Sequence, residues 1–444
     1  MPIYPGDLVS DLKRLWSSST PTPKDRVAPL PCDDVLQRLL DVAYHASFRR
    51  DEGRPTSFSI AHVAPEDLPG VWVSIAATQR CQAVRFDSPR AFVPSEIARL
   101  APAADPVRVY IGVSGQSTDS DSHLSIWGLI DAGSSWWEFT VGESHEIGSI
   151  APPCCLLIAS CEPGQLTLSR GHQNLLTLRQ GKVWETAFVL RAGPIAERLC
   201  RNVGLLNEEV SKNLTEEEMH FDQSLCIGAR DALTAYLARI LLAMKERAHG
   251  GTLLIVPDSW APADPRLCDR VALKYACNVP RAWNLLRDYV VVTRRWRCLM
   301  FAVYDSKVEM SRARHYELRQ LRLQAEELGQ SLRDCARFTA SLASVDGAVV
   351  ITDKLRLLGF GAEVVALSHT LKGVRLAKDV NGKDGVEAPI EEYGTRHRSA
   401  FRFCSSHEDT MAFVISQDGA ARAVKRVGPD LLCWPEIDLR FMFL

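Results

Sequence analysis

The sequence carries no excess of either charge. Its 52 lysines and arginines meet 54 aspartates and glutamates, for a formal net charge of −2. No global basic field therefore draws the chain to nucleic acid. None of the 13 cysteines has a partner at CxxC spacing, so the usual signature of a structural zinc site is missing. No apolar run approaches the ~18 residues that cross a bilayer; stretches such as YVVVTRRW are soon broken by charge. The opening, MPIYPGDLVSDLKRLW, lacks the charged-then-apolar pattern of a secretory leader. These absences predict a cytoplasmic protein, off the membrane and off nucleic acid, with reduced and mostly buried thiols.

Several chemistries are also missing. There is no GxxxxGKS/T phosphate loop and no HExxH zinc motif. The stretch from Gly112 to Gln116 lacks the last glycine of a nucleophile elbow, and GFGAEV lacks the third glycine of a dinucleotide fingerprint.

What is present is an ordinary globular composition, 46% hydrophobic and 24% charged, in a chain of 444 residues. That length accommodates two or three domains. Residues 17–30, SSSTPTPKDRVAPL, read as irregular. From about 68 to 192, short β-rich runs such as GVWVSIA, PVRVYIGVS, SSWWEFTVG and CCLLIAS alternate with turn signals. The turns EPGQ, SRGH and RQGK predict antiparallel hairpins. Trp136 and Trp137 fall in one such run, where core packing is the expected role because neighbours on a strand face opposite ways. Residues 206–248 read as helical, HGGTLLIVPDSW as a glycine turn feeding a buried strand, and RCLMFAVYD (297–305) as another strand. Residues 1–305 thus read as one α+β region, or two subdomains.

A helix is expected over 306–343. Leu318, Leu321, Ala325, Leu328, Leu332 and Cys335 recur at alternating spacings of three and four, an apolar seam about three heptads long. Such a helix either packs on its own domain or connects domains and pairs with a copy of itself. Beyond it, VDGAVVITDKLRLLGFGAEV reads as a hairpin. Residues 365–390 read as a surface loop in preference to a lid, a helix is expected over 398–409, and TMAFVISQDGAARAVKR reads as a second hairpin.

The C-terminal residues offer a constellation. Asp346 stands before the apolar run from Ala348 to Ile351, and a carboxylate at the mouth of a buried strand is costly unless paired or metal-bound. Gly347 and Ala348 leave room for a ligand. Gly394, Thr395 and Arg396 offer a flexible backbone N–H, a hydroxyl and a guanidinium, which match phosphate oxygens. A helix beginning near Arg396 or His397 adds free N–H groups. The turn from Ser416 to Gly419 carries another hydroxyl and, in Asp418, another carboxylate. Each has a plainer reading: Asp346 as a turn residue, Arg398 and Arg402 as solvated helix positions, Ser416 to Gly419 as a bare turn.

VDGAVVI followed by GTRHRSA resembles the DGA and RHR motifs of diadenylate cyclase (DAC) domains, which condense two ATP into cyclic di-AMP. RFTASLASVDGAVVI and SSHEDTMAFVISQDG are similar to the flanking segments of that family. The resemblance covers about residues 325–428. It implies a DAC domain over 325–444 with a mixed β-sheet flanked by helices, a connecting helix over 306–343 and a sensor or regulatory region over 1–305, the last similar around HGGTLLIVPDSW. It implies that Asp346 holds a catalytic Mg2+ or Mn2+, and that Asp418 takes the place of a glutamate near the metal. Gly347 and Ala348 would lie against the nucleotide, and the backbone near Val364 would meet the adenine edge. Gly394, Thr395, Arg396 and Ser416 would bind the triphosphate, with His397 and Arg398 completing the motif. The family's usual SEE-type turn is Ser416-Gln417-Asp418 here, so one carboxylate is an amide. The resemblance further implies ATP as substrate, a homo-oligomer of at least two DAC domains, and an unidentified ligand for the sensor region. A catalytically weak or inactive nucleotide-binding switch is the alternative.

Overall fold

The computed structural model describes residues 3–18, 28–51, 54–68, 82–104, 109–118, 121–131, 154–160, 163–171, 173–179, 181–184, 189–220, 228–247, 249–261, 263–305, 311–365, 371–416, 420–435, 437 and 439. Two compact units emerge: Met1–Phe139 with Ser144–Thr186, and Ala187–Leu444. The runs GVWVSIA and SSWWEFTVG, with Trp136 and Trp137, lie outside the described residues, as do Gln417 and Asp418.

The N-terminal unit is helices on a mixed sheet. Its helices are α1 (Leu8–Ser18), α2 (Asp33–Ser47) and α3 (Pro94–Leu100). Its strands are β1 (Phe58–His62), β2 (Gln82–Ala91), β3 (Val109–Thr118), β4 (Asp121–Asp131), β5 (Leu156–Ser160), β6 (Gln165–Arg170), β7 (Gln173–Arg179) and β8 (Lys182–Trp184). Among the described residues they form one eight-stranded sheet in the order β8-β7-β6-β5-β1-β3-β4-β2. The hairpins expected at EPGQ, SRGH and RQGK join β5 to β8 in antiparallel succession. In α2, Leu36, Leu39, Leu40 and Ala43 recur at helical spacing and are buried against Ile60, Ile111 and Ile158 of the sheet.

The C-terminal unit is a sheet covered on both faces. Its helices are α4 (Gly193–Leu199), α5 (Val203–Ser211), α6 (Glu216–His220), α7 (Ala229–Glu246), α8 (Arg281–Asp305), α9 (Arg312–Leu342) and α10 (Thr395–Ser406). Its strands are β9 (Gly251–Val256), β10 (Val271–Val279), β11 (Ala348–Thr352), β12 (Leu357–Val364), β13 (Gly373–Ala377), β14 (Gly385–Pro389), β15 (Met411–Ile415), β16 (Ala421–Val427) and β17 (Asp430–Trp434). The order is β10-β12-β11-β9-β15-β16-β17-β13-β14. β9 runs parallel to β11 and antiparallel to β15. Side-chain alternation then fills two cores. Leu253 and Ile255 of β9, with Val349 and Ile351 of β11, join α4, α5, α7, α8 and α9. Leu254, Val256 and Val350 join Ala400, Phe401, Phe403 and Cys404 of α10 on the opposite face. Each fully buried phenylalanine there contributes roughly 1.5–3 kcal/mol.

Three expectations are corrected. The division falls after Thr186, not at 305: HGGTLLIVPDSW supplies β9, whose backbone is paired on both sides within the C-terminal sheet. RCLMFAVYD is helical, the end of α8. Its upstream β-branched run favours strand locally, but Trp283, Leu286 and Val290 recur at helical spacing and are buried, so packing overrides propensity. Residues 365–390 are not a plain loop, because β13 and β14 pair as an antiparallel hairpin and β13 docks parallel to β17 at the sheet margin.

The expected helix over 306–343 appears as α9. The later part of its seam is used inside the unit: Ala325 and Leu332 are buried and Leu328 and Cys335 pack with Leu332, while Leu318 and Leu321 are half-buried. The Tyr236 hydroxyl of α7 donates to Cys335 Sγ at 3.2 Å. From Ala325 onward α9 packs on its own unit, as the first of its two readings had it. Among the described residues no helix is long and apolar enough to cross a membrane. Of the described cysteines, Cys154, Cys155, Cys404 and Cys433 are buried, Cys32 and Cys268 are exposed, and all are free thiols.

Candidate functional site

The cleft forms where β9 and β11 begin and where the antiparallel β12 and β15 end. Its floor is Thr252, paired with Ala348 on one side and Val414 on the other. The cavity measures about 680 Å³ and is lined by Thr252, Asp346, Gly347, Ala348, Ala362, Glu363, Val364, Gly394, Thr395, Arg396, His397, Ser399, Val414, Ile415 and Ser416.

A backbone device opens one wall. Gly347 has φ +116°, and a Cβ there would meet the carbonyl carbon of Gly361 at 2.5 Å and the nitrogen of Ala362 at 2.7 Å. The two strands shift register between Ala348 and Val350. Only glycine permits that approach, which sets Asp346 at the lip of the cleft. Asp346 is exposed, so the desolvation cost expected for it does not operate. Glu363 stands beside it on β12, ion-paired to Lys274 of β10 at 2.6 Å. That partner holds the Lys274 ammonium above its usual range, with Asp346 adding to the effect.

The opposite wall is the start of α10. Gly394 is its N-cap, with φ −65° and no side-chain cap. Nothing lies within 4 Å of where its Cβ would be, so neither backbone geometry nor a neighbour requires a glycine there. No acidic residue stands in the first turn; Arg396 and Arg398 do instead. Cations at the positive end of a helix are unfavourable unless an anion sits among them. Arg396 is exposed and its Nη1 donates to His249 O at 3.3 Å. His397 Nε2 lies 3.0 Å from Arg422 Nη1, and its ring packs near Tyr393 and Phe401, at 5.7 and 6.4 Å between centroids. The Tyr393 hydroxyl is pushed up to about 12, chiefly by burial and against the pull of Arg422.

Ser416 closes the third side. Its Oγ donates to Ala420 O at 3.1 Å and accepts from Arg422 Nη1 at 3.0 Å.

Of the residues expected to act together, Asp346, Gly347, Ala348, Val364, Gly394, Thr395, Arg396, His397 and Ser416 all line this one cleft. Arg398 does not; it is half-buried, and its backbone N–H closes the first helical turn on Gly394 O at 3.1 Å. Asp418 lies outside the described residues. Sequence reasoning missed Thr252, Glu363, Ser399 and Arg422. Ser399 was within reach, four residues from Thr395 on the same helix. Thr252 depends on the pairing of β9 with distant strands, and Arg422 on the packing of α10 against the β15–β16 hairpin; no local signal reports either.

The donor set bears on a metal. Among the described residues no group of three His, Cys, Asp or Glu side chains converges. Among the described residues, Asp346 and Glu363 are the carboxylates lining the cleft. One or two carboxylates suit a Mg2+-type cation that takes its remaining oxygens from phosphates and water, not an all-protein cage. The residues present therefore fit a metal that arrives with a polyphosphate.

Residues 25–131 match the family model described as Probable sensor domain DACNV. The match lies within the N-terminal unit and identifies a sensor-type domain there. No curated protein matches the chain.

Proposed function

We propose that this protein is a sensor-regulated diadenylate cyclase, and that the cleft of the C-terminal unit binds ATP. The observation that supports it most is the gathering of Asp346, Gly394, Thr395, Arg396, His397 and Ser416, scattered along the chain, around one cavity. In this reading Arg396, Thr395 and the open N-terminus of α10 hold the triphosphate. Ser416 lies against the phosphates. Gly347 and Ala348 let the nucleotide lie against the backbone, and the Val364 backbone meets the adenine edge. Mg2+ or Mn2+ held by Asp346, with Asp418 as a further ligand, would neutralise phosphate charge and lower the pKa of the attacking hydroxyl.

The 3′-hydroxyl of one ATP attacks the α-phosphorus of the other. The new P–O bond forms as the bond to pyrophosphate breaks, and the hydroxyl proton leaves. A second such step closes the ring. Little covalent chemistry falls to the protein, so alignment and charge do the work. One cleft holds one ATP, so two copies face each other across a two-fold axis. The N-terminal unit would set the reaction rate in response to its own ligand.

Asp346→Asn tests the reading. The variant melts like wild type, because Asp346 is exposed, and forms cyclic di-AMP at least ~100-fold more slowly. A variant as fast as wild type overturns the assignment. The second reading, a nucleotide-binding switch without turnover, is favoured by Gln417, an amide in the turn after Ser416. Tight ATP binding without pyrophosphate release would establish it.

A further inference from the structure

We propose that Arg422, which lies outside the cleft lining, is a positioning residue that locks His397 and Ser416 into one arrangement for a phosphate-bearing ligand. The proposal rests on the reading of the cleft as a nucleotide site. Arg422 sits near the start of β16, the strand that follows the Ser416 turn. A single nitrogen, Nη1, reaches His397 Nε2 at 3.0 Å and Ser416 Oγ at 3.0 Å. It thereby ties the first turn of α10 to the end of β15.

The chemistry of the three groups fixes their roles. A guanidinium donates and never accepts. His397 Nε2 must therefore accept, which places the ring proton on Nδ1 and leaves the imidazole neutral. Ser416 receives the second N–H, so its own proton is directed to Ala420 O at 3.1 Å. Tyr393 and Phe401 flank the ring, so Arg422 adds a polar restraint to the aromatic packing. Its charge adds to the positive potential met by a polyphosphate.

The test compares wild type, Arg422→Lys and Arg422→Met in the full chain. Methionine keeps the apolar stem without charge or donor, whereas lysine keeps both. Nitrogen-15 NMR of labelled histidine, with His397 identified by the signals lost in His397→Gln, reads the tautomer without any ligand. Calorimetry with ATP and Mg2+ reads binding. Wild type and Arg422→Lys hold the Nδ1–H tautomer, Arg422→Met loses it, and ATP binds Arg422→Met about tenfold more weakly. An unchanged tautomer and unchanged ATP affinity in Arg422→Met overturn the proposal. So does a loss that lysine fails to restore, which assigns Arg422 to packing alone. If wild type binds no ATP, the nucleotide reading itself fails, and that result is seen before any variant is compared.

Discussion

Asp346 and Arg396 open onto one cleft, the carboxylate from the residue leading into β11 and the guanidinium from the first turn of α10. The pairing is made by the sheet. β9 lies between β11 and β15, so the head of β11, the end of β15 and the helix preceding β15 share one edge. A site with a carboxylate on one lip and a cationic helix start on the other can grip a metal and a polyphosphate together.

The two glycines of the site should answer substitution in opposite ways. Gly347→Ala places a Cβ 2.5 Å from backbone at φ +116°, and urea unfolding should show a loss of at least about 2 kcal/mol. Gly394→Asp adds an N-cap acceptor where the backbone already has the right conformation and no neighbour intrudes. It should stabilise the fold by about 0.5–1 kcal/mol. The same carboxylate repels phosphate, so ATP binding should weaken more than tenfold in calorimetry. A Gly394→Asp protein that binds ATP as wild type does would remove the phosphate from this end of the cleft.

At the far end of the same strands, Arg198 and Asp353 form a buried ion pair at 2.5 Å, with side-chain exposures of 2% and 7%. Arg198 also donates to Asp409 O at 2.9 Å, and Asp353 accepts from the Asp258 N–H at 2.9 Å. Arg198→Met leaves Asp353 buried without its cation and should cost about 3–5 kcal/mol in urea unfolding. A loss below ~1 kcal/mol would show that solvent reaches the pair.

The N-terminal unit should weaken in mild acid. Burial pulls the pKa of His62 down to about 4 from its ordinary 6.5, and its buried Nε2 has no hydrogen-bond partner among the described residues. Its folded-state pKa lies below the unfolded one, so its contribution is full above pH 6.5 and is lost as pH falls toward 4. At pH 5 the loss is about 2 kcal/mol. Thermal melting from pH 7 to 5 should therefore show a fall that His62→Gln largely removes; an equal fall in both proteins contradicts it.

Much of this was legible in the residues. Turn chemistry marked the hairpins from β5 to β8, and short continuous apolar runs marked β9, β11 and β15. The motif order placed nine residues that do share a cleft. Propensity misread the end of α8, because Trp283, Leu286 and Val290 owe their burial to the core that α8 shares with α5, α7 and α9, not to the local run. The domain boundary was misplaced because β9 reads alike in any α+β unit; only its pairing with β11 and β15 assigns it. Arg422 was invisible for a related reason: an arginine on a strand announces nothing until a distant helix start and a turn are brought to its guanidinium.

The most direct measurement is product analysis of the full chain incubated with ATP and either Mg2+ or Mn2+. The account predicts cyclic di-AMP and pyrophosphate in a ratio of two pyrophosphates per ring, as the two condensation steps require. ATP recovered intact with both metals, and no ATP binding by calorimetry, would contradict it.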